Sequence, residues 1–108
     1  MTAAGFRKLA LKLPEATEGS HFGVADFRVA NKIFATLAYE KTGYGVLMLT
    51  PEQLAGMVAD AGEIFSPVPN AWGCQGATLV KLAAVKPDIL EPALRTAWLR
   101  RAPKELHP

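Results

Sequence analysis

At 108 residues the chain is one domain's worth of sequence, 50% hydrophobic and 20% charged, which excludes a disordered or low-complexity segment. Twelve Lys and Arg against ten Asp and Glu leave a formal charge of +2, which permits a nucleic-acid partner but lacks the cationic excess of a dedicated duplex-DNA binder. A single cysteine, Cys74, excludes an internal disulfide, and apolar runs such as Val46-Leu47-Met48-Leu49 are too short to cross a bilayer.

Arg7 and Lys8 interrupt Met1–Ala10, so no signal peptide is read there and a reducing cytoplasm is the expected compartment. Phe6, Leu9, Ala10 and Leu13 recur at helical spacing, and Pro14 stops the helix they predict. Glu15 to Ser20 reads as a polar connector. His21 to Leu37 reads as two short strands joined at Ala30-Asn31-Lys32, because Phe27 and Val29 alternate with polar neighbours and Asn31 tolerates left-handed backbone. Simple alternation then puts Ile33, Ala35 and Leu37 on one face, opposite Phe34 and Thr36. After a turn from Tyr39 to Tyr44, a third strand is expected over Gly45–Leu49.

Thr50-Pro51-Glu52-Gln53 is the clearest helix start, with a cap, a first-turn proline and the elements of a capping box. Leu54, Met57, Val58 and Ala61 line its inner face up to Gly62. Ile64 to Pro67 reads as an edge strand limited by its prolines, Asn70 to Gly76 as a loop, and Ala77 to Leu82 as a further strand. Leu90, Ala93, Leu94, Ala97 and Trp98 place the last helix. Pro92 leaves two beginnings open, one near Glu91 and one capped by Asp88 with a distorted first turn. The sum is an α+β domain spanning residues 1–108 in the order α-β-β-β-α-β-β-α.

Several segments resemble one known family. Leu13-Pro14-Glu15, His21-Phe22-Gly23, Phe27-Arg28-Val29, Lys32-Ile33-Phe34-Ala35, Ala97-Trp98 and Ala102-Pro103-Lys104 are similar to the small MmcQ/YjbR-type proteins. The resemblance implies an antiparallel sheet with packed helices, frataxin-like or secretion-chaperone-like. It also implies a double-wing DNA binder whose β-hairpins form the contact surface. Asn31 stands where glycine is common in that family.

Carried onto this chain, the nucleic-acid contacts fall to Arg28, Lys32 and Lys41, with Tyr39, Tyr44 and Trp72 offering stacking surfaces. Such cations interleaved with aromatics suit weak, largely sequence-independent binding by phosphate neutralisation. The competing expectation is a protein- or small-ligand-binding module that uses a groove between sheet and helix. An apolar patch beside Trp72 would favour it, whereas a basic stripe across two hairpins would favour DNA.

No catalysis, metal or cofactor is expected. His21, beside Ser20 and near Glu18 and Asp26, is better read as a strand-entry histidine than as a general base or metal ligand, since adjacent Ser and His side chains rarely face one another and no second histidine stands at ligand spacing. Cys74, flanked by Gly73 and Gly76, matches no phosphate loop and reads as an incidental thiol. Arg95, Arg100, Arg101 and Lys104 form no single face. Arg101 falls almost on the apolar stripe, where its methylenes cover the core while its head projects outward. The last-turn cations suit the helix's negative end.

Overall fold

The computed structural model describes residues 1–107. Helix α1 (Ala3–Leu11) opens with Thr2 as its cap, the Gly5 amide donating to the Thr2 hydroxyl oxygen at 3.0 Å. Past Pro14 the chain reverses through Glu15, in left-handed backbone.

The segment expected to be a connector is instead a strand, β1 (Thr17–His21). It pairs antiparallel with β2 (Val24–Val29), from Thr17 opposite Arg28 to His21 opposite Val24. Its Thr-Glu-Gly-Ser-His sequence carries no apolar alternation because it forms the sheet edge and is almost wholly exposed. Backbone pairing to β2 holds it, with an ion pair from α1 (Arg7 Nε to Glu18 at 3.0 Å), and polar side chains blunt the free edge against another strand.

Strand β3 (Lys32–Thr36) follows across a two-residue turn in which Ala30 (φ 50°) and Asn31 (φ 63°) are both left-handed. That mirror-image turn matches the twist of the flanking strands. The β1–β2 turn uses Phe22 (φ 53°) and Gly23 (φ 76°) in the same way. Pairing then slips by one residue: Phe27 lies opposite Ala35, yet Arg28 lies opposite Ile33. Phe34 is the extra residue of a β-bulge. The simple alternation expected for this strand is therefore broken. Phe34 and Ala35 are both fully buried in the main core, while Ile33 and Thr36 line the opposite face.

A 3₁₀ turn at Glu40–Thr42 leads into β4 (Tyr44–Met48). Helix α2 (Pro51–Ala61) has the expected capping box. The Gln53 amide donates to the Thr50 hydroxyl at 3.1 Å, and the Thr50 amide donates to the Gln53 side-chain oxygen at 3.0 Å. Thr50→Ala should lower stability by about 1 kcal/mol, read as a shift of the urea midpoint with unchanged slope.

The short β5 (Phe65–Pro67) lies on the other sheet edge, as its proline requires. Asn70 to Gly76, expected as a loop, contains a one-turn helix α3 (Ala71–Cys74), set by the Trp72 amide donating to the Asn70 side chain at 2.8 Å. β6 (Ala77–Lys81) completes a six-stranded sheet of order β1-β2-β3-β4-β6-β5, antiparallel throughout.

Helix α4 (Pro87–Arg101) starts at neither expected place: Lys86 is its cap residue and Pro87 its first helical position. Pro92 is accommodated within it, at the loss of one hydrogen bond near the start. Leu90, Ala93, Leu94, Ala97 and Trp98 are buried as their spacing predicts.

The main core lies between one sheet face and helices α1 and α4, around Phe6, Phe27, Phe34, Leu47 and Trp98. On the other face a smaller cluster of Val46, Val68, Ala77 and Leu79 covers only the β4–β6 half, with Trp72 of α3 packed against it. Among the described residues, the β1–β2–β3 half of that face contributes nothing to this cluster. No helix among the described residues is long and apolar enough to cross a membrane.

Candidate functional site

The bulge, the two left-handed turns and the one-sided helical cover together leave a groove of about 610 Å³ across the open sheet face. Val24, Ile33, Ala38, Met48 and Trp72 supply its apolar lining. His21, Asp26 and Thr36 lie along it from the β1–β2 side, and Asn31, Lys32 and Arg101 contribute the remaining polar groups. Phe22 stands on the rim at the tip of the β1–β2 turn, 94% exposed and stacked edge-on against His21 with ring centroids 4.4 Å apart. A large aromatic in left-handed backbone, with almost all its surface in water, has no packing role in the monomer.

Asp26 is the buried acid of this face, at 2% exposure, and its charge is already engaged. Arg28 donates to both carboxylate oxygens, Nε to Oδ1 at 2.7 Å and a terminal nitrogen to Oδ2 at 3.0 Å. The fork geometry makes this a strong pair. The hydrogen bonds from Arg28 to Asp26, and then the carboxylate's charge, raise the Arg28 pKa above its ordinary value. Gly19 on β1 leaves the space the pair occupies, since a Cβ there would come within 2.9 Å of both Arg28 Nε and Asp26 Oδ1.

The six residues expected to contact nucleic acid do not gather on one surface. Arg28 is tied to Asp26 instead of projecting as a free cation. Lys32 and Lys41 are exposed but belong to turns at opposite ends of β3. Tyr39 and Tyr44 are half-buried against the smaller cluster and are not free stacking surfaces. Of the six, only Lys32 and Trp72 line the groove. His21 also lines it, while Cys74 is exposed on α3 and outside it.

Arg101 lies on the inner stripe of α4 as its spacing predicts, and what it borders there is the groove. Arg101 is half-buried along the groove: its Nε is covered without a hydrogen-bond acceptor among the described residues, while its terminal nitrogens stay accessible. It stands three residues beyond buried Trp98 and four beyond buried Ala97. Its neighbour Arg100 reaches across to donate to the Met48 carbonyl at 3.2 Å. Burial, and then the charge of Arg101, lower the Arg100 pKa from its ordinary value. Among the described residues the ion pairs are Arg7–Glu18, Lys12–Glu91 and Arg28–Asp26, so Lys32, Arg100 and Arg101 have no carboxylate partner.

Comparison with known structures agrees with this architecture. A crystal structure of the Deinococcus radiodurans protein DR2400, described by the family-model domain DUF419, superposes with a TM-score of 0.75 at 18% identity. The match covers 98% of this chain and 82% of that one, a likeness of fold alone. Among curated proteins there is no match to this chain. The family model named YjbR matches residues 11–100, from the end of α1 through Arg100, and so takes in the whole sheet and most of the groove. A match over that much of the sequence, on the fold just described, makes this chain a member of the YjbR family.

Proposed function

We propose that the domain is a binding module, without catalysis of its own, that takes a small ligand with an apolar or aromatic body in the open groove. The observation that carries this reading is the groove itself. At about 610 Å³ it falls within the range of about 300–1,000 Å³ typical of small-molecule sites, and its apolar wall beside Trp72 is ringed by a few polar groups. The exposed rim aromatic Phe22 adds a surface without a packing role of its own. A reducing cytoplasm suits the exposed Cys74 thiol.

Nucleic-acid binding through the hairpins, the other expectation, draws less support. It needs Arg28, Lys32 and Lys41 as one cationic surface, and they are respectively paired, at one end of β3 and at the other.

Two-dimensional amide NMR with the neutral probe 2-naphthalenemethanol tests the groove. Its addition should shift the amides of Ile33, Thr36 and Trp72 in a saturable way, and Ile33→Glu should abolish the shifts while leaving the rest of the spectrum folded. Shifts scattered over the surface, or none, would remove the reading. Labelled duplex DNA at low salt should show unchanged anisotropy. A rise that Lys32→Glu plus Lys41→Glu eliminates would return the function to the hairpins.

A further inference from the structure

The groove has a direction, and its polarity names the ligand class. Thr36, Asp26 and His21 lie toward the β1–β2 turn, where the acid is neutralised by Arg28. The other end, by the β2–β3 turn and the end of α4, holds Asn31, Lys32 and Arg101, with no carboxylate of the described residues at ion-pair distance. Arg100 lies against the same end, through its hydrogen bond to Met48, itself a groove residue. Between the two ends the wall is Val24, Ile33, Ala38, Met48 and Trp72.

The favourable interaction of last-turn cations with the negative end of α4 accounts for an exposed Arg100. It does not account for Arg101, which turns along the groove with Nε covered and no acceptor to receive its proton. A guanidinium does not deprotonate to relieve such a position. Its charge is met by the arrival of an anionic oxygen at the terminal nitrogens, which no hydrogen bond engages among the described residues. Lys32 and the Asn31 side-chain amide stand at the same end as further donors.

Resting on the groove reading above, we propose that the ligand is an amphipathic anion. An apolar or aromatic body lies along Ile33, Met48 and Trp72, and a carboxylate or phosphate group is held at the Arg101–Lys32 end. The anion contributes the binding energy that the neutral body lacks, and it fixes the direction in which the ligand lies.

The test compares three probes of one shape, 2-naphthoate, 2-naphthyl phosphate and neutral 2-naphthalenemethanol, by amide NMR titration of the full chain. One or both anions should bind at least about tenfold more tightly than the alcohol. Which of the two is preferred separates a carboxylate ligand from a phosphate ligand. Arg101→Met should remove that advantage and leave the alcohol's affinity unchanged. Because it deletes a covered, unpartnered donor, its melting temperature should be equal to or above that of the parent.

Lys32→Ala, at an exposed position, gives a second reading independent of folding and should reduce the advantage several-fold. Equal affinities for all three probes, with shifts still in the groove, would overturn the anion proposal and leave the groove standing. Absence of binding by all three would overturn both. An anion preference that survives Arg101→Met and Lys32→Ala would place the anion elsewhere and overturn the assignment.

Discussion

Replacing Gly76 by alanine should destabilise the domain by more than about 4 kcal/mol, a large fraction of the stability of a typical small domain. Two independent causes act there. Gly76 has φ +105°, outside the basins a side chain accepts, and a Cβ would collide with the carbonyl group of Leu49. Neither backbone can yield cheaply. The Leu49 amide donates to the Gly76 carbonyl at 3.3 Å, and Leu49 is buried in the core one residue before the α2 cap. The Gly76 amide in turn donates to Gly73 and closes the turn that carries Trp72.

Gly56→Ala is the control, since a Cβ there meets nothing within 4 Å and the site is exposed within α2. It should stabilise the domain by about 0.5–1 kcal/mol. Urea denaturation of both variants decides the matter. A Gly76→Ala midpoint near the parent's would mean that the chain enters β6 by a different path.

The second large effect belongs to Trp98→Ala, expected to cost about 3–5 kcal/mol and to lower the melting temperature by roughly 15–30 °C. Trp98 is 1% exposed and sits where α4 meets the sheet. Its indole N–H donates to the Pro14 carbonyl at 2.9 Å, tying the last helix to the turn that follows the first. Truncation thus opens a cavity and leaves a carbonyl without its donor. Trp98→Phe keeps most of the volume and should cost about 1–2 kcal/mol, a measure of the hydrogen bond and the lost ring together. If the two variants melt together, the hydrogen bond and not the packed ring is the dominant contribution. Neither result bears on the ligand, because Trp98 does not line the groove.

The elements legible in the chain were those whose reasons are local. Thr50 and Gln53 cap α2 through groups three residues apart, and Pro67 confines β5 to an edge, each needing no knowledge of the rest of the fold. The buried stripe of α4 follows from its period. Family resemblance reached the fold by another route, through short motifs spread along nearly the whole chain, and the match to the YjbR family agrees with it. β1 was hidden because an exposed edge strand is held by its neighbour's backbone and carries no hydrophobic period of its own.

By itself, then, the sequence determined the capped and periodic helices, most of the strands, the absence of an internal disulfide and a charge balance too mild to imply a nucleic-acid partner. Tertiary structure alone decided the site. Whether Arg28 is a free cation depends on Asp26 and on Gly19 of the adjacent strand. Whether Lys32 and Lys41 share a surface depends on the antiparallel path of β3. A one-residue bulge turned Ile33 to the groove and sent both Phe34 and Ala35 inward, and the fold of α4 against the sheet brought Arg101, about seventy positions away, to the groove that Lys32 also lines. Electrostatic partnership and groove shape are set by distances between strands and helices, and those distances exist only once the core has closed.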